Sequence, residues 1–170
     1  MRRIIPIALL LLSSHLCISQ TKEITENWIL SKFDKYKTGT ADYDMTNPIS
    51  EEPISLKFGN CYIELKEKFT QWMINGGSDP QIRVYKILIG DIKSFAWFGN
   101  VLHIKSRKTN VTMRSYSPNK NSAKETVDYL DGIRLGIRIL NEKNLDNRII
   151  KALEHLKSFC PPSIDEKEPF

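Results

Sequence analysis

The chain has 170 residues, 26% of them charged and 41% hydrophobic, with a formal net charge of +5. That balance fits a globular protein with a hydrophobic core, and no low-complexity tract or internal repeat breaks it. A strongly basic nucleic-acid-binding footprint is excluded at this level of charge.

Met1, Arg2 and Arg3 open the chain, residues 4–12 form an apolar run, and residues 13–20 are more polar. This is the three-part layout of a secretory signal. A membrane-spanning helix needs about 20 apolar residues, whereas this run stops at Ser13 and is interrupted by Pro6. Cleavage after Ser19 places small side chains at the cleavage positions, with Cys17 two residues before Ser19. Lipidation of Cys17 is disfavoured, because Leu16 occupies the position where a small residue is required. The expected product is exported to the periplasm or beyond, without a transmembrane helix. Losing Arg2 and Arg3 leaves 23 of the 25 basic residues against 20 acidic ones. The expected organisation is a signal peptide at 1–19, an N-terminal helix and connection at 20–53, one domain at 54–160 and a flexible tail at 161–170.

Residues 21–37 carry Ile24, Trp28, Ile29, Phe33 and Tyr36 at helical spacing, which predicts an amphipathic helix. Residues 42–53 hold two prolines and no clean period, and read as an irregular connection. From Ile54 the period becomes two. Ile54, Leu56 and Phe58, then Cys61, Ile63 and Leu65, alternate with polar residues around Gly59-Asn60, which predicts two half-buried strands and a turn. Residues 69–74 extend this pattern, and the run Gly76-Gly77-Ser78-Asp79-Pro80 reads as a loop. Residues 82–89, 92–98, 101–106 and 111–116 predict an antiparallel meander, with hairpin turns at 99–100 and 107–110. Residues 126–140 are ambiguous: 123–130 is rich in helix formers, while Ile133, Leu135, Ile137 and Ile139 alternate, so the second half is expected to be a strand. Residues 145–160 predict a final amphipathic helix stopped by Pro161 and Pro162.

Cleavage after Ser19 removes Cys17, leaving Cys61 and Cys160 as an even pair in an oxidising compartment. A disulfide between them is expected. It would close a loop of about 100 residues, which chain-entropy arguments value at nearly 5 kcal/mol.

A run of antiparallel strands closed by one amphipathic helix is an α+β design. The series Tyr85-Lys-Ile-Leu-Ile-Gly-Asp-Ile92-Lys-Ser, followed by Arg148-Ile-Ile-Lys-Ala-Leu-Glu-His-Leu-Lys-Ser-Phe-Cys160, resembles pleckstrin-homology-like barrels. It also resembles small exported bacterial proteins that share this helix ending. The resemblance covers residues 54–160 and implies a curled antiparallel sheet, preceded by the N-terminal helix and closed by the C-terminal one. Pleckstrin-homology domains that bind phosphoinositides carry a basic loop between their first two strands. The corresponding turn here is Gly59-Asn60, so headgroup binding is not implied.

No motif for a nucleophile, a phosphate loop or a metal occurs in the chain, so no catalytic, cofactor or metal residue is assigned. His103 falls on a predicted strand opposite Leu102 and Ile104, and His155 falls on the solvent side of the last helix. The carboxylate pairs Asp128 with Asp131 and Glu51 with Glu52 are neighbours in sequence, whereas an acid and a base must stand across a cleft. Lys105, Arg107, Lys108, Arg114, Lys120 and Lys124 gather near one hairpin and the next loop, a local positive patch suited to an anionic envelope ligand. Trp28, Trp72 and Trp97 lie on periodic apolar faces and are expected in the core. The functional expectation is a non-enzymatic exported binding or interaction domain for a protein or an anionic ligand. A small cell-envelope hydrolase, or a structural envelope protein without a ligand, is the alternative.

Overall fold

The computed structural model describes residues 21–42, 48–72, 77–118 and 126–163. The segment expected to be a signal, Lys120, Lys124 and the residues beyond 163 lie outside the described residues. The helix predicted at 21–37 is α1, Lys22–Tyr36, whose first turn is capped by the Thr21 side chain accepting from Ile24 N–H. Its inward stripe buries Ile29, Phe33 and Tyr36.

Nine strands follow: β1 (Thr40–Asp42), β2 (Ile49–Gly59), β3 (Tyr62–Trp72), β4 (Ser78–Leu88), β5 (Ile92–Phe98), β6 (Val101–Ser106), β7 (Val111–Tyr116), β8 (Thr126–Leu130) and β9 (Gly132–Gly136). The last helix, α2, spans Leu145–Ser158. Every pairing is antiparallel, in one sheet of order β1-β2-β3-β4-β7-β8 and a second of order β5-β6-β9. The fold is therefore α+β. Among the described residues the ladders leave β1, β8, β5 and β9 at sheet edges, so hydrogen bonding does not close them into a barrel.

The two sheets share three bent strands. β4 runs into β5 through a single turn of 3₁₀ helix at Ile89–Asp91, β6 runs into β7 through residues 107–110, and β8 runs into β9 through Asp131. The bends are stitched together where they meet: Arg107 N–H donates to the Asp91 carbonyl at 2.8 Å, and Ser106 N–H to the Asp131 carbonyl at 2.7 Å. Residues 107–110 are thus a corner and not the expected hairpin turn. β7 pairs with β4 and β8, while β6 pairs with β5 and β9, so the expected meander is interrupted there.

Two further expectations are corrected and one ambiguity is resolved. Residues 49–53 belong to β2, not to an irregular connection, because the ladder with β3 continues to Ile49 opposite Gln71; a bulge between Pro53 and Ser55 accommodates the proline. Ser78, Asp79 and Pro80 belong to β4 and not to a loop. Pro80 sits opposite Thr70, beyond Ile82 where the β7 ladder ends, so its missing N–H faces no second strand. The segment 126–130, ambiguous from sequence, is a strand, since pairing with β7 decides its conformation.

α2 buries Leu145, Ile149, Leu153 and Leu156 against α1, β5 and the 3₁₀ turn. These side chains, the inward residues of α1 and those of both sheets form one cluster. The expected pair Cys61 and Cys160 stands at disulfide distance, with Cα atoms 5.4 Å apart, joining the β2–β3 turn to the residues just after α2.

Candidate functional site

The alternation that builds the core of β3 buries Ile63, Leu65 and Phe69, and it places Glu67 on the same inward face. On β4 the same face carries Arg83, Tyr85 and Ile87, with Arg83 directly opposite Glu67 in the ladder. Across from them, β2 contributes Glu51 and β9 contributes Arg134, joined by an ion pair that links the first sheet to the second. The Glu51 carboxylate also accepts from Thr40 Oγ1 at 2.9 Å. These five polar side chains line a cavity of about 240 Å³. Met113, Leu130 and Ile133 supply its apolar wall.

Glu67 is 4% exposed. Burial, reinforced by the nearby charge of Glu51, pushes its carboxyl up to about 7, against the opposing influence of Tyr85, Arg83 and Arg134. Burial and then the Glu67 charge also push the Tyr85 phenol well above its ordinary value, so it stays a neutral donor. The Arg83 guanidinium lies 3.1 Å from the centroid of the Phe69 ring, which holds it in place by stacking. Two residues of the cavity lining each keep a buried side-chain atom without a hydrogen-bond partner: Oε1 of Glu67 and Nε of Arg83. The lining therefore combines a buried carboxyl and a guanidinium with a short apolar wall.

A second cavity, of about 120 Å³, lies on the other side of the Glu51–Arg134 pair and is lined by Thr40, Phe98 and His103 among others. His103 is half-buried with its ring edge-on to Phe98 at 4.6 Å. Burial, then the charges of Arg134 and Lys105, hold its imidazole below the usual range.

The structure separates the carboxylate pairs considered from sequence. Glu51 is buried while Glu52 is exposed, and Asp128 and Asp131 are both exposed. Glu51's carboxylate neighbour in the cavity is Glu67. His155 is half-buried, edge-on to Phe159 at 4.9 Å. Within the basic cluster, Lys108 Nζ donates to the Ser163 hydroxyl at 3.2 Å, a contact inside the fold. Trp72 is 50% exposed at the end of β3, against its expected place in the core. Trp97 donates from Nε1 to the Asp146 carbonyl at 3.3 Å, and Trp28 packs partly buried against the core. Among the described residues no group of three or more His, Cys, Asp or Glu side chains is placed to hold a metal ion, and no helix is long and apolar enough to cross a membrane.

Glu67, Arg83, Tyr85 and Arg134 were not singled out by motif, because they form none. For the first three a signal existed: a charged or phenolic residue at an inward position of an alternating strand. Comparison with family models, with characterised proteins and with solved structures returns no match. Functional assignment therefore rests on the geometry of this cavity.

Proposed function

We propose that this protein is an exported, non-enzymatic binding domain whose ligand site is the cavity lined by Glu51, Glu67, Arg83, Tyr85 and Arg134. One observation carries this reading: Glu67 and Arg83, both in the cavity lining, each keep a buried polar atom without a protein partner. A buried orphan of this kind costs about 1–3 kcal/mol, more for a charged group, and a polar ligand that draws these side chains into hydrogen bonds would return part of that free energy. The test is a titration of the isotope-labelled, disulfide-intact protein with a library of small polar molecules, followed by NMR. Binders that shift the Gly132 amide and the Met113 methyl group are expected. A library that moves neither would remove the reading.

Export rests on the order of residues 1–19 and is supported by the Cys61–Cys160 pairing, since disulfides persist in oxidising compartments. N-terminal sequencing of protein recovered outside the cytoplasm should begin at Gln20. The finer reading of the fold as pleckstrin-homology-like is supported by the three bent strands shared between two sheets and by α2 packed against the bend.

One observation favours the alternative of a small cell-envelope hydrolase. Glu67, with its carboxyl pushed up to about 7 beside Glu51, has the ionisation a general acid needs near neutral pH. Turnover of any ester, amide or glycoside substrate that Glu67→Gln abolishes would favour this reading over binding alone.

A further inference from the structure

We infer that the cavity takes a small zwitterion of the amino-acid type, its ammonium group at Glu67 and its carboxylate at Arg83. This rests on the cavity being a binding site, and it names the chemistry of the ligand. The reasoning begins with charge. Glu51 and Arg134 satisfy each other through their ion pair. Glu67 and Arg83 do not: they are direct partners in the β3–β4 ladder, yet no ion pair joins them, and each keeps one buried atom without a partner. The cavity lining thus carries two complementary charges that no ion pair joins. A ligand carrying both charges meets each of them and leaves the cavity neutral. A simple cation would leave Arg83 uncompensated, and a simple anion would face the Glu67 carboxylate.

The rest of the wall fits a compact ligand. Met113, Leu130 and Ile133 form an apolar side suited to a short aliphatic body, and Tyr85 adds a neutral hydroxyl to the lining. The cavity, at about 240 Å³, is smaller than the roughly 300–1,000 Å³ that accommodates larger organic ligands. An amino acid is the size that remains.

The strongest competitor is a carboxylate anion bound with Glu67 protonated, and the two differ in the sign of their pH dependence. An ammonium group needs Glu67 ionised, so zwitterion affinity rises as pH increases through neutrality. An anion accepting from the protonated acid would instead bind more tightly at low pH.

The probes are 4-aminobutyrate and L-alanine, with butyrate and n-butylamine as single-charge controls. Each is titrated into the disulfide-intact protein at about pH 5.5 and about pH 8.5 while the Gly132 amide and Met113 methyl resonances are followed. At least one zwitterion is expected to bind about 10-fold more tightly than either control, and roughly 30-fold more tightly at the higher pH if Glu67 titrates near 7. Glu67→Gln should remove most of that pH dependence, and Arg83→Gln should weaken the zwitterion to the level of n-butylamine. The amide spectrum of each variant establishes that it is folded, and the wild-type pH profile is decisive without them. Butyrate binding as tightly as the zwitterions, and better at the lower pH, would overturn the inference while leaving the cavity as a binding site. No response to any of the four probes would also overturn it; only failure of the wider library would take the binding-site reading down as well.

Discussion

Ser163, five residues beyond the end of α2, closes on Asp91 in the bend between β4 and β5: its backbone N–H donates to Oδ1 at 2.8 Å, and its hydroxyl donates to the same carboxylate at 2.7–2.9 Å. Asn110 Nδ2 donates to Asp91 Oδ2 at 2.6 Å from the neighbouring corner. One carboxylate, 1% exposed, therefore ties the C-terminal strap to two of the three bent strands.

Asp91→Asn should destabilise the protein by about 2–3 kcal/mol, because the amide turns a donor toward groups that already donate. Ser163→Ala, which removes only the hydroxyl, should cost about 1 kcal/mol. Burial raises the Asp91 carboxyl, but the hydrogen bonds from Ser163 and Asn110 and the charge of Lys108 outweigh it and hold the value below the ordinary range. The stabilisation is present above the usual carboxylate range and is lost as pH falls through the depressed value. Urea denaturation of the two variants and the wild type measures this; equal midpoints for all three would contradict the role given to Asp91.

Glu67 works with the opposite sign. Its folded value is raised to about 7, so its contribution is full at acid pH and is lost as pH rises from its unfolded value through neutrality, by an amount of the order of 3 kcal/mol. His103, held low by burial, opposes this, since protonating it below its ordinary value disfavours the fold. The difference between wild type and Glu67→Gln isolates the carboxyl. The glutamine variant should be the more stable at about pH 8, and the gap should shrink toward about pH 5. A gap that does not change with pH would show that Glu67 does not titrate in this window.

Cys61 and Cys160 are 99 residues apart in sequence. Replacing both with serine should lower the unfolding free energy by about 3–5 kcal/mol, the range expected for closing a loop of that length. Intact-mass measurement after alkylation without reductant should find both thiols unmodified in the wild type. Two alkyl groups on the purified protein would rule the bond out.

Gly90 has no room for a side chain: a Cβ there would stand 2.0 Å from the Pro161 carbonyl oxygen, a backbone atom. Gly90→Ala must displace the strap between α2 and Ser163, at a cost of about 1–3 kcal/mol. Faster hydrogen exchange of the Ser163 amide in the variant is the expected sign. Unchanged protection there would mean that the strap tolerates the methyl group.

Much of the secondary structure was legible because its signals are local. The stripe of α1, the alternation through Ile63 and Leu65, the Gly99-Asn100 turn with Gly99 at φ 60° and the apolar side of α2 each follow from spacing within one segment. The segments that misled were those whose conformation is imposed by a partner strand. Pro80 signals a loop until its place beyond the β7 ladder is known. Residues 107–110 signal a hairpin until β6 and β7 are seen to enter different sheets.

The cavity divides along the same line. Alternation alone determined that Glu67 shares a face with Leu65 and that Arg83 shares one with Ile87, because a strand's period fixes which way each side chain points. It could not place Arg134, which lies out of phase with the buried Ile133 and Leu135. Arg134 reaches Glu51 only because β8 bends at Asp131 and β9 crosses into the second sheet, bringing together residues 83 apart. Strand pairing is non-local: a segment encodes its own faces, while the three bends decide which faces meet and therefore which charges share a cavity.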